Sequence, residues 1–179
     1  VTTLFHEFGH ALHGLCSNVK YPSLSGTNVA TDYVEFPSQI LERWLSTKEI
    51  LQKFALHYKT KEPMPQSLLD KINKASKFNQ GFATTEYLAS ALIDMKLHLA
   101  GDAKIDADKF EKESLAELKM PKEIVMRHRT PQFGHIFSGD DYAAGYYGYL
   151  WADVISADAT EAFTEAKGGV YDKEVCKRL

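Results

Sequence analysis

An all-α fold is predicted for this chain on three observations. Apolar residues recur at helical spacing along nearly its whole length, beginning with Leu4, Phe5, Phe8, Ala11, Leu12 and Leu15. No convincing run alternates polar and apolar residues as a half-buried strand would. Turn-rich stretches such as SNVKYPSLSGTN (17–28) and KTKEPMP (59–65) cut the pattern into helix-length pieces. The helices are expected to pack around one core.

The first helix runs up to the turn-rich stretch at 17–28, with Thr2 or Thr3 available as its N-cap. A second is expected from about 32 to 58, where Asp32 and Glu35 resemble a capping box and Pro37 is tolerable only in the first turn. Further helices are predicted at about 66–77, 83–100 and 106–119, with a short one at 121–127. A loop, RTPQFGHIFSGDD (129–141), leads into a last long helix at about 142–166, before Gly168 and Gly169. There is no internal repeat or low-complexity tract.

A chain of 179 residues with 44% hydrophobic and 25% charged residues can bury a real core. A net charge of -3 with scattered Lys and Arg argues against nucleic acid and anionic membranes as partners. No apolar run reaches the roughly 18 residues of a membrane span. Cys16 and Cys176 lie near opposite ends in no CxxC pattern, which argues against a disulfide scaffold and fits a reducing compartment.

Chemistry concentrates in HEFGH (6–10). On a helix, residues four apart lie about 40° apart around the axis and about 6 Å along it. His6 and His10 therefore project from one face and can converge on one tetrahedral ion. Glu7 is close enough to reach a water on that ion without ligating it. Zn2+ would bring the water's pKa towards about 7, and Glu7 would remove its proton. The competing reading is an amphipathic helix that exposes two histidines. A catalytic zinc needs a third protein ligand and an open position. The extended motif HExxHxxGxxH fails, because Cys16 stands where its third His would fall. A carboxylate from the next helix is the other common solution. Glu35, Gln39 and Glu42 share a face there, so spacing favours Glu35 over Glu42 and leaves Asp32 as a cap. His13 lies about 10 Å up the axis from His6, too far to share its metal, and is expected to pack or support.

Three segments carry a family resemblance: HEFGHALH, DYVEFPSQ beginning 22 residues after His10, and FGHIFSGDDYAAGYYGYLWAD. In this order they resemble the thimet oligopeptidase and peptidyl-dipeptidase (dipeptidyl carboxypeptidase) family of zinc metallopeptidases. The resemblance covers essentially the whole chain but only a late part of the family's catalytic region. It implies a single helical segment, 1–179, of a larger metallopeptidase truncated at both ends. It also implies Glu35 as the third zinc ligand, beside His6 and His10. It gives His135, Tyr142, Tyr146 and Tyr149 roles in binding substrate, and Tyr149, Tyr146 and His135 a share in stabilising the transition state. A phenol can donate to a developing oxyanion without bringing net charge. Tyr146 and Tyr149, three apart, are expected to share a helical face, with Tyr147 packing. Gly139 and Gly145 would let the loop close over substrate.

The expected function is zinc-dependent hydrolysis of short peptides, releasing C-terminal dipeptides. Internal cleavage and a non-catalytic zinc-helix module are the alternatives. The expected cofactor is one Zn2+ per site. The expected partners are short peptides and the remaining N-terminal and C-terminal parts of the same enzyme. A cytoplasmic location is expected. The segment alone is expected to cleave little and to hold zinc weakly. Other features read as structural: His57, His98 and His128, and an acidic helix face of Asp106, Asp108, Glu111, Glu113 and Glu117 that lacks calcium-loop spacing.

Overall fold

A computed structural model describes all residues, Val1–Leu179. It is helical as predicted, with ten α-helices and one isolated bridge, Leu56 to Pro63, in place of any strand. No helix is long and apolar enough to cross a membrane. The helices form two compact units, Val1–Asn73 with Gly148–Leu179, and Lys74–Tyr147.

In the first unit α1 spans Thr2–Leu15, with Val1 at its N-cap position and no side-chain cap, so neither Thr2 nor Thr3 plays that part. The single helix expected at 32–58 is three: α2 (Thr31–Val34), α3 (Phe36–Leu45) and α4 (Lys48–Phe54). Pro37 is the cause of the first break. It brings no N–H and disfavours helical backbone just before it, so the helix restarts with proline in its opening turn. The Asp32–Glu35 capping box does not form, because Ala30 caps α2 and Glu35 sits at the α2–α3 junction. At the second break, Ser46 and Thr47 hydroxyls donate back to the carbonyls of Arg43 and Trp44, offering the backbone an alternative to helix.

The long helix of this unit is α9 (Gly148–Glu165), and α10 (Lys173–Arg178) follows it. The core joins Phe36 and Ile40 of α3 to Phe163 and Val175, with Trp44, Ile155, Ala159, Ala166 and Val170 against it. Burying each large apolar side chain contributes about 1.5–3 kcal/mol. Trp44 meets Phe163 edge-on at 5.1 Å and donates its indole N–H to the Val170 carbonyl at 3.0 Å. Two glycines set close crossings. A Cβ on Gly9 of α1 would lie 2.4 Å from the Pro37 carbonyl oxygen and 2.5 Å from Ser38 Cα. A Cβ on Gly148 would lie 3.1 Å from Asp32 Cα.

Helix α5 (Gln66–Ala75) ends at the start of the second unit, whose helices are α6 (Gln80–Leu99), α7 (Ala107–Glu117) and the single turn α8 (Gly134–Phe137). Asp106 caps α7 by accepting the Lys109 N–H at 3.0 Å. Glu111 does not share the solvated face expected of it. It is 3% exposed and accepts both the N–H and the hydroxyl of Thr130. The helix expected at 121–127 is absent and the stretch is turns, since so short a helix carrying β-branched Ile124 and Val125 is marginal. The last long helix starts at Gly148 rather than 142, because the chain turns at 143–147 with Ala144 at φ 54°.

Candidate metal and peptide-binding residues

The Gly9 crossing brings α1 against the start of α3, and it is here that HEFGH meets Glu35. His6 and His10 are half-buried, one turn apart, and their rings meet edge-on at 4.9 Å. Glu35 is 3% exposed and lies against both. Its Oε2 is 3.2 Å from His6 Nε2 and 3.3 Å from His10 Nε2. The three atoms form a group able to hold a metal ion.

Hydrogen bonds fix this arrangement from behind. His6 Nδ1 is 2.7 Å from Glu42 Oε1. A carboxylate only accepts, so the His6 ring donates to Glu42 through Nδ1. Ser38, fully buried, donates to the Glu35 backbone carbonyl at 2.8 Å and to its Oε2 at 3.0 Å. Gln39, on the same helix, donates to the Tyr149 carbonyl at 2.9 Å. The two acids that share a face in the sequence stand differently toward the histidines. Glu35 faces both Nε2 atoms, whereas Glu42 holds the far side of the His6 ring. His13 stands off the group and meets Tyr33 edge-on at 6.4 Å. Burial, with a smaller contribution from His10, pushes its pKa down. Glu7 is exposed on α1.

These residues fit a zinc ion. Two imidazole nitrogens and one carboxylate are the donor set of a hydrolytic zinc with an open fourth position. Donor atoms of a tetrahedral Zn2+ with bonds of about 2.0–2.1 Å stand about 3.3–3.4 Å apart. The two Nε2–Oε2 separations match that edge.

The second unit gathers His135, Tyr142 and Tyr146 into one aromatic cluster. The His135 ring lies 4.6 Å from Tyr142 and 6.5 Å from Tyr146. Phe133 meets Tyr146 edge-on at 5.0 Å and stacks on His128 at 4.5 Å, which gives His128 a structural place. Burial pushes the Tyr146 phenol up, against a smaller opposing pull from Arg127, so the hydroxyl stays protonated and able to donate. Tyr149 belongs to α9 of the first unit. Tyr146 lies in the turn before that helix, so the two do not share a helical face as their spacing suggested.

The sequence gives weaker signs of the supporting residues Gly9, Ser38, Tyr87 and Asp94. A mid-helix Gly costs up to about 1 kcal/mol against Ala, which marks a close approach. Asp94 interrupts an apolar run, ALIDM, and such an acid signals a buried hydrogen-bonded role.

The model of peptidase family M3 matches residues 1–177. Dipeptidyl carboxypeptidase of Salmonella typhimurium is 45% identical over 172 residues, 94% of this chain and 25% of its own length. Oligopeptidase A of Escherichia coli is 41% identical over 181 residues, 97% of this chain and 26% of its own. Saccharolysin of Saccharomyces cerevisiae is 37% identical over 164 residues. The chain spans about a quarter of the length of the curated relatives it matches. A match that runs from α1 to α10 makes this chain a member of peptidase family M3.

Proposed function

We propose that this chain carries the hydrolytic centre of a zinc metallopeptidase that releases C-terminal dipeptides from short peptides. One observation carries the reading: two imidazole Nε2 atoms and a buried carboxylate oxygen converge at zinc-ligand spacing. His6, His10 and Glu35 would hold the ion. Bound there, Zn2+ supplies Lewis acidity to a water and to the scissile carbonyl. Glu7 takes the proton of the attacking water and returns it to the leaving amine. Tyr146, Tyr149 and His135 donate to the oxyanion as it forms, and these three with Tyr142 line the peptide. The protonated state of the Tyr146 phenol supports the donor role.

Glu7→Gln keeps the shape of the side chain but removes the base. It should abolish turnover in the full-length protein while bound zinc stays near one equivalent. Substantial residual turnover would remove Glu7 from its role.

A second reading is internal cleavage, favoured by the 41% identity to oligopeptidase A across 97% of the chain. Digesting one N-blocked peptide and weighing the products separates the two. Successive loss of C-terminal dipeptides supports the first, and internal fragments support the second.

A further inference from the structure

Asp94 sits on α6 among apolar residues, 2% exposed, and the reaction above gives it no part. A buried carboxylate is costly unless hydrogen bonds satisfy it, so its partners indicate its purpose. Its Oδ1 accepts the Ala144 N–H at 3.2 Å, and its Oδ2 accepts the Tyr146 N–H at 3.1 Å. His98 Nδ1, one turn along α6, lies 3.0 Å from Oδ1 and 3.2 Å from the Ala144 nitrogen. Tyr87, also on α6, donates its hydroxyl to the Tyr146 carbonyl. Tyr146 is therefore gripped at both its N–H and its C=O by one helix.

The turn so held is not one the chain adopts freely. Ala144 has φ 54°, a left-handed backbone that a residue with a Cβ adopts only when its surroundings impose it. Gly145 beside it is buried. The Tyr146 ring then packs 4.9 Å from Tyr87 and 5.0 Å from Phe133.

We propose that Asp94 is a positioning residue that fixes the 144–146 turn and with it the Tyr146 side chain. The inference rests on the role given to Tyr146 above. Transition-state donors act only when held in place, and a displacement near 1 Å can cost on the order of a hundredfold in rate.

The test is a double-mutant cycle in the full-length, zinc-loaded protein, reading kcat and KM on an N-blocked short peptide. Asp94→Asn keeps the shape but sets an amide NH2 against a backbone N–H. It should lower kcat roughly tenfold or more, with zinc at one equivalent. In a Tyr146→Phe background the same change should lower kcat by no more than about twofold, because the group it positions is gone. Equal losses in both backgrounds, or an Asp94→Asn kcat within about twofold of wild type, would overturn the inference alone. An unchanged kcat for Tyr146→Phe would overturn the role of Tyr146 and this inference with it. Should Asp94→Asn not fold, Ala144→Pro carries the same cycle, since it deletes the Ala144 N–H and forbids a positive φ.

Discussion

At the scale of single residues, the His6–His10–Glu35 group depends on side chains behind it. Glu42 anchors the His6 ring through Nδ1, and Ser38 orients Glu35. Partners of this kind are worth about 10–100-fold in metal affinity. Glu42→Ala should therefore weaken zinc binding by about that factor in chelator competition, and Glu42→Gln, which keeps an acceptor oxygen, should recover part of it. Full wild-type affinity in Glu42→Ala would contradict the arrangement. In the sequence, Glu42 and Glu35 are rival carboxylates seven residues apart on one supposed helical face. Spacing there favours Glu35 as the ligand, but the contact of Glu42 with His6 Nδ1 is not legible in it. That contact depends on the chain breaking at Glu35 and on the distance at which α1 crosses α3, neither of which spacing encodes.

Among the secondary-structure elements, that crossing is the central fact. The Gly9 Cβ position is occupied by backbone atoms of Pro37 and Ser38, which cannot rotate aside. Gly9→Ala should force α1 and α3 apart, costing about 1–3 kcal/mol of stability and widening the Nε2–Oε2 separations. A lower melting temperature and weaker zinc binding are expected, and no change in either would contradict the account. Gly14 on the same helix faces open space, so Gly14→Ala should leave zinc affinity unchanged.

The cap of α10 makes a separate prediction. Hydrogen bonds from the Val175, Gly168 and Glu174 amides hold the Asp172 carboxyl below its usual range. A depressed carboxylate pKa means that the stabilisation is present above the unfolded value of about 3.9 and is lost as pH falls through the folded one. Protection of the Glu174 and Val175 amides from hydrogen exchange should therefore fall as pH drops below about 3.9. In Asp172→Asn that pH dependence should be flat. Helix existence was legible in the apolar spacing of α1, α6 and α9. The ends were less so. The α9 start moved to Gly148 because Asp94 and Tyr87, far away in sequence, fix the preceding turn, and the break at Ser46–Thr47 comes from hydroxyls competing for backbone carbonyls.

On the scale of the whole molecule, residues with proposed roles occur in both units. The first holds His6, His10, Glu35 and Tyr149, and the second holds His135, Tyr142 and Tyr146. Substitutions in the two should fail differently. Tyr146→Phe should keep its zinc and lose rate, whereas His6→Ala should lose zinc itself. The central claim is that His6, His10 and Glu35 bind one catalytic zinc. Elemental analysis of the full-length protein beside its Glu35→Ala variant, after dialysis against a mild chelator, tests it most directly. The account predicts one equivalent of zinc in the first and none in the second. A full equivalent in Glu35→Ala, or no zinc in the wild type, would contradict it.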